Sequence, residues 1–261
     1  MRSLNRLNNQ IFKFIFCNKL MVEVSLKKIY IKKFARVSGF KVWIVDGKYI
    51  RDNVEEEFTN YGQHYQFTFI PEDEFWIDKE RSPGEEQYFI DSMLAMHRLI
   101  AKGMKDREAA KIADRIERRE RSKSKLMKNE MQIKKHSGNL IKTIHRHSLN
   151  EYNKWKVKIW IVKGEVVRDL FFLDFTEGGH DRVYSFIPEN EVWIDDDLDL
   201  EERKFVILHE MHERNLMSKG KTYNKAHKSS SKIEYYCRKH PKKLDRFIRR
   251  EFRKAERALP H

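Results

Sequence analysis

Cysteine is nearly absent from this chain: Cys17 and Cys237 are the only two among 261 residues. That excludes a disulfide framework and a CxxC-type metal site, and it favours a reducing, cytoplasmic setting. Long apolar runs are missing too. No stretch approaches the roughly 20 uninterrupted apolar residues of a membrane-spanning helix, so an integral helical membrane protein is excluded. The first 24 residues start basic, but Lys13, Asn18 and Lys19 break the apolar stretch, which argues against a secretory signal. Acidic residues are outnumbered as well, 40 against 54 basic, for a net charge of +14 that makes an anionic partner worth considering. What is present suffices for a core. At 40% hydrophobic and 12% aromatic, the chain should form one large domain or two of ordinary size.

The positive excess is uneven. Residues 1–40 carry +8, 41–97 carry −8, 98–147 carry +10, 148–215 carry −7 and 216–261 carry +11. The alternation follows an internal duplication. Residues 41–78 align over 158–195 at a constant shift of 117 without a gap, with roughly half of the positions identical. The same shift carries on to Gly103 over Gly220 and Glu117 over Glu234. Met21, ahead of the first copy, is an alternative start to Met1.

Each copy reads as an α+β unit, a small and mostly antiparallel sheet followed by a helical hairpin. The runs at 41–45 and 158–162 are strand-like, and Asp46-Gly47 or Lys163-Gly164 after them predicts a two-residue hairpin with a second strand. Further short strands are expected at 67–71, 75–78, 184–188 and 192–195. Ser82 with Glu85, and Asp199 with Glu202, have capping-box spacing for the next helix, which Gly103 or Gly220 closes. Trp43, Trp76, Trp160 and Trp193 fall at matching strand positions and are expected in the core. The organisation is thus a basic arm (1–40), a degenerate copy (41–130), a basic linker (131–157) and a second copy with basic C-terminal helices (158–261).

The second copy carries the chemistry. His209 and Glu213 stand four apart on one helix face and can close on one ion. Glu210, beside the first ligand, is where zinc hydrolases place the base that activates water. Glu213 lies seven residues before Gly220 and His227 seven after it, so on antiparallel helices both stand about 10 Å from the turn. His227 is therefore the expected third ligand. Glu234, two turns farther, ranks behind it, and His212 competes with Glu213 from the i+3 position. His180, in a Gly178-Gly179-His180 turn, is either a ligand or a substrate-polarising donor. In the first copy His209 is replaced by Ser92, Glu210 by Met93, His212 by Ala95, Glu213 by Met96, His227 by Ala110 and His180 by Gln63. Glu234 is matched by Glu117, which favours a structural role for it.

The strand at 192–195, the acidic loop, and the helix reading FVILHE from Phe205 to Glu210 resemble the core of minimal zincin metallopeptidases, whose signature is HExxH. The second His of that signature is Glu213 here, giving HExxE. The segment is also similar to small uncharacterised phage and microbial proteins with a GGH turn, an FIP..E.WID strand, an HE..E helix and a later Tyr and Ala-His, here Tyr223 and Ala226-His227. The resemblance covers about 158–234, with an echo in 41–117. It implies a zincin-like zinc-binding fold with His209 as ligand and Glu210 as general base, and a carboxylate ligand at Glu213 is compatible with zinc. The expected activity is a zinc-dependent hydrolase of peptide or protein substrates, with the first copy as support or docking. The alternative is a nucleic-acid- or virion-associated binding or structural protein with a structural or vestigial metal, meeting its anionic partner through the basic helical segments within 98–147 and 216–261, although Lys/Arg-rich helices such as 115–128 and 246–257 are usually solvated faces.

Overall fold

The computed structural model describes residues 12–17, 20–124 and 140–258. Met1 and the basic residues 125–139 expected in the helix end and linker lie outside the described residues. In chain order the elements are β1 (Phe12–Cys17), β2 (Leu20–Ser25), α1 (Leu26–Ile29), β3 (Tyr30–Val37), β4 (Phe40–Val45), α2 (Gly47–Asn53), β5 (Tyr61–Gln63) and β6 (Glu74–Asp78). There follow α3 (Glu86–Ala101), α4 (Asp106–Arg121), α5 (Leu140–Ile144), β7 (His145–Ser148), β8 (Lys158–Val162), α6 (Gly164–Leu170), β9 (Gly178–His180) and β10 (Glu191–Asp195). The last described elements are α7 (Leu200–Met217), α8 (Tyr223–Lys239) and α9 (Leu244–Ala258). No helix among the described residues is long and apolar enough to cross a membrane.

The fold is α+β and repeats its plan. Sheet order is β3-β4-β6-β5 in the first copy and β7-β8-β10-β9 in the second. Both sheets are mixed rather than simply antiparallel. The outer pairings are antiparallel, but the central pair is parallel, with Trp43 opposite Trp76 and Trp160 opposite Trp193. A parallel neighbour needs a crossover, and a helix supplies it. This corrects the hairpins expected at Asp46-Gly47 and Lys163-Gly164, because α2 and α6 begin there instead. Asp46 caps α2, accepting from Tyr49 N at 3.0 Å. Gly47 and Gly164 are required by close approach, since a Cβ at either would collide with the Asp78 or Asp195 carboxylate.

Other local expectations are also corrected. Residues 67–71 and 184–188 form successive turns, with Phe67 N on Gln63 O and Tyr184 N on His180 O, and no strand. Gly178-Gly179-His180 is strand β9, paired antiparallel to β10, where a turn was expected. Neither capping box forms. Ser82 donates to Asp197 Oδ2 at 2.7 Å, and Glu85 is buried against Arg168 at 2.6 Å and Arg121 at 2.8 Å, so it has no reach for a cap. Asp199 occupies the N-cap position of α7 without a side-chain capping bond. The strands β3 and β7 fall within the segments read as arm and linker, and each completes its sheet.

Two compact units make up the chain, residues 1–79 and 80–261, so the division falls inside the first copy. In the first unit, Ile29, Val45, Ile50, Phe58, Ile70 and Trp76 form a buried cluster around α2. In the second unit the sheet has helices on both faces. Alternation along β8 and β10 turns Ile159, Ile161, Val192 and Ile194 to α7 and α9, and Val162 and Trp193 to α6. The buried pairs Arg51–Asp78 (2.8 Å) and Arg168–Asp195 (2.5 Å) tie the crossover helix to the end of the parallel strand in both copies.

Candidate metal centre

The site lies on the α7–α8 hairpin. Gly220 takes φ +80°, and beyond it Lys221 N reaches back to Leu216 O at 3.1 Å, so α8 returns beside α7. The equal spacing of Glu213 and His227 from that turn then has its consequence. Glu213 Oε2 lies 3.0 Å from His227 Nδ1, His227 Nδ1 lies 3.1 Å from His209 Nε2, and His209 Nε2 lies 3.8 Å from Glu213 Oε2. A point equidistant from these three atoms is about 2 Å from each, the length of zinc–nitrogen and zinc–oxygen bonds. The three residues form a grouping able to hold a metal ion.

Each of these atoms is aimed by a neighbour. His209 Nδ1 donates to Glu234 Oε2 at 2.7 Å, which leaves Nε2 facing the cluster. Glu234 is held in turn by Arg238 at 2.7 Å, and Arg238 also pairs with buried Glu202 at 2.9 Å. Glu234 is thus behind the His209 ring and not among the converging atoms. Glu213 divides its oxygens: Oε2 faces His227, while Oε1 lies 3.2 Å from His180 Nε2. His180 Nδ1 accepts from Arg182 N at 3.1 Å, so the proton of the neutral ring sits on Nε2, pointing at Glu213 with poor hydrogen-bond direction. That tautomer has no lone pair to offer an ion at Nε2, although His180, Glu210 and Glu213 also form a grouping. The ring of Tyr223 stacks on His227 at 5.3 Å.

The electrostatics favour a cation at this point. Burial works against the His209 imidazolium, yet the carboxylates of Glu213 and Glu234 hold its pKa well above the ordinary range. Burial would raise Glu213 as well, but His180, His209 and His227 bring it far below the usual carboxylate value. Glu234 is likewise lowered to about 2, Arg238 and His209 overcoming its burial. Glu210 moves the other way. Burial raises its pKa, only partly offset by His180, His209 and His227. With Glu213, His227, Tyr184 and Tyr223, Glu210 lines a cavity of about 80 Å³.

His212 points elsewhere, with Nε2 3.0 Å from Ser229 Oγ and Nδ1 3.2 Å from Glu251 Oε1. The other acidic grouping, Asp195 to Asp197, is neutralised in part by Arg168, 2.5 Å from Asp195 and 3.3 Å from Asp197.

The first copy keeps the frame without these polar side chains. Arg121 binds Glu117 at 3.0 Å and Glu85 at 2.8 Å, matching Arg238 with Glu234 and Glu202. Ser92, in the place of His209, hydrogen-bonds Glu117. Met96 and Ala110 fill the places of Glu213 and His227 with an apolar cluster that includes Ala109 and Ala113. No protein-family model, curated protein or solved structure matches this chain.

Sequence reasoning missed two supports. Arg238 stands four residues after Glu234, a pairing distance on a helix that is visible in the sequence. Arg214 grips Asp181 at 2.7 and 2.9 Å and Asn190 at 2.8 Å, fastening the residue after His180 to α7. Its signal is that Arg214 and Asp181 both change in the first copy, to His97 and His64.

Proposed function

We propose that the second copy is a metal-dependent, zincin-like hydrolase site, with zinc held by His209, Glu213 and His227 and peptides as the substrate class. The observation that carries this reading is the convergence of three ligand atoms on a point about 2 Å from each. The donor set, two imidazole nitrogens and one carboxylate oxygen, suits zinc in a catalytic role. Bound there, zinc supplies Lewis acidity toward a carbonyl and lowers the pKa of water.

The chain's own residues divide the remaining work. Glu210, next to His209 in sequence and facing the small cavity, takes the proton from the attacking water, and its raised pKa suits a general base. His180 is fully buried behind Glu213 with Nε2 3.2 Å from Oε1, so it acts as a positioning residue that flanks Oε1 while Oε2 turns to the site. Glu234 and Arg238 do the same for His209. His227 is a third exposed and marks the solvent side from which a substrate arrives. The first copy, lacking every ligand, serves as support or docking.

Metal analysis of the chain purified without chelator tests this. About one zinc-like ion per chain is expected, lost in His209→Ala. Glu210→Gln should keep the metal and abolish peptide hydrolysis. A metal-free protein refutes the site, and turnover by Glu210→Gln refutes the assigned base.

A further inference from the structure

Helix α9 carries a second feature, separate from the hairpin site. Its inner face, Leu244, Ile248, Glu251, Phe252 and Ala255, is buried. Its outer face exposes Arg246, Arg249, Arg250, Arg253 and Arg257. Arg246, Arg250, Arg253 and Arg257 follow helical spacing and form a line about 16 Å long. Where α9 meets the end of α8, a groove of about 380 Å³ is lined by Tyr236, Lys243, Arg246, Phe247, Arg250 and Arg253, with no carboxylate in its wall.

The acidic residues of α9 are engaged elsewhere. Asp245 pairs with Lys204 at 3.0 Å, and Glu256 accepts from Lys156 N at 3.3 Å. Glu251 is buried and turned to His212, Asn215 and Lys254, with Arg250 no closer than 3.5 Å. Arg246 and Arg253 have no ion pair among the described residues. The two rings, 5.9 Å apart, are each covered by a cation, Lys243 at 4.8 Å over Tyr236 and Arg250 at 4.3 Å over Phe247. Such contacts orient a cation without cancelling its charge.

We propose that this groove binds single-stranded nucleic acid, the arginine line following the phosphates while Tyr236 and Phe247 offer ring faces to bases. His240 stacks on the Tyr236 ring at 4.3 Å, so Lys243 and Arg250, on moving from the rings to phosphates, uncover the remaining ring area for stacking, the combination by which single strands are held without sequence preference. A bilayer fits less well, because the apolar face of α9 is already buried and nothing remains to insert. A duplex fits less well because the rings lie inside a groove whose volume suits a nucleotide unit, not a double helix.

The test is fluorescence anisotropy of the full chain with a labelled oligothymidylate of about 12 nucleotides, across about 50 to 200 mM salt. Binding that weakens steeply with salt is expected. Arg246→Glu with Arg253→Glu should weaken it at least about 10-fold and reduce the salt slope by about two. Tyr236→Ala should weaken it with the slope unchanged, the signature of stacking. Zinc content of the variants should equal wild type, since none of these side chains touches the residues proposed as ligands. No binding by wild type at 50 mM salt overturns the proposal, as does equal binding by the double arginine variant. Tighter binding to a duplex of the same length, or to phosphatidylserine vesicles, overturns the choice of single strands.

Discussion

Glu234 and Glu117 occupy the same place in the two copies, each on a buried arginine, yet only Glu234 stands behind a histidine whose other nitrogen faces Glu213 and His227. Replacing Glu234 by Gln keeps the shape and removes the charge that meets His209 Nδ1 at 2.7 Å. The amide still has an oxygen for one partner, so the helix pair should stay folded. What is lost is the charge-assisted hydrogen bond that fixes the tautomer and basicity of His209. Removal of such outer partners costs about 10- to 100-fold in metal affinity, or about 1.4–2.7 kcal/mol. Glu117→Gln removes the same charge from the same frame and faces Ser92, so it should leave metal affinity unchanged. Competition with a chromogenic zinc chelator measures the affinity of wild type and both variants. Melting with and without zinc gives a second reading, since a tenfold weaker site loses about 1.4 kcal/mol of ligand-induced stabilisation at saturating metal. Equal zinc affinity in Glu234→Gln and wild type refutes the positioning argument. Equal losses in the two variants would refute the assignment of the metal to the second copy.

Two further outcomes test the fold. Gly164→Ala places a methyl group against the Asp195 carboxylate, itself pinned by Arg168, and should destabilise the chain by about 1–3 kcal/mol in a denaturant titration. A neutral effect would mean that α6 does not start where described. Burial, with Glu85 and Asp169 nearby, raises the Glu165 pKa from 4.5 to about 7. The folded chain therefore retains a proton that the unfolded chain has released, and stability falls as pH rises through that window. Glu165→Gln should remove the fall, gaining about 1 kcal/mol at pH 8 after allowance for partial exposure and little at pH 4. A variant that is no more stable than wild type at pH 8 would contradict it.

The parts of this fold that were legible in the sequence are those set by local rules. Strands at 41–45, 75–78, 158–162 and 192–195 announce themselves by β-branched and aromatic runs. Gly103 and Gly220 end their helices because only a residue free of Cβ strain adopts positive φ readily. The hairpin expected after Val45 failed because Asp-Gly serves equally as a turn and as the start of a capped helix. Non-local pairing decides between them: β4 already has β3 on one edge and β6 on the other. The capping boxes failed for a similar reason, since Glu85 is drawn into an ion-pair cluster with Arg121 and Arg168 that sequence spacing does not reveal.

The candidate site follows the same line. Residue order alone establishes the duplication, the absence from one copy of the residues proposed as ligands, and the equal distance of Glu213 and His227 from Gly220, because helix rise is fixed and a glycine turn reverses direction. It also determined that the excess positive charge lies outside the acidic cores. Packing in three dimensions selects which atoms converge. It turned His212 toward Ser229 and Glu251, set Glu234 behind His209 instead of beside it, and gave His180 a tautomer that supports Glu213. Those outcomes depend on side-chain direction and on partners 14 to 36 residues away, such as Arg238 on Glu202 and Glu213 on His227. Spacing along one helix carries no information about them.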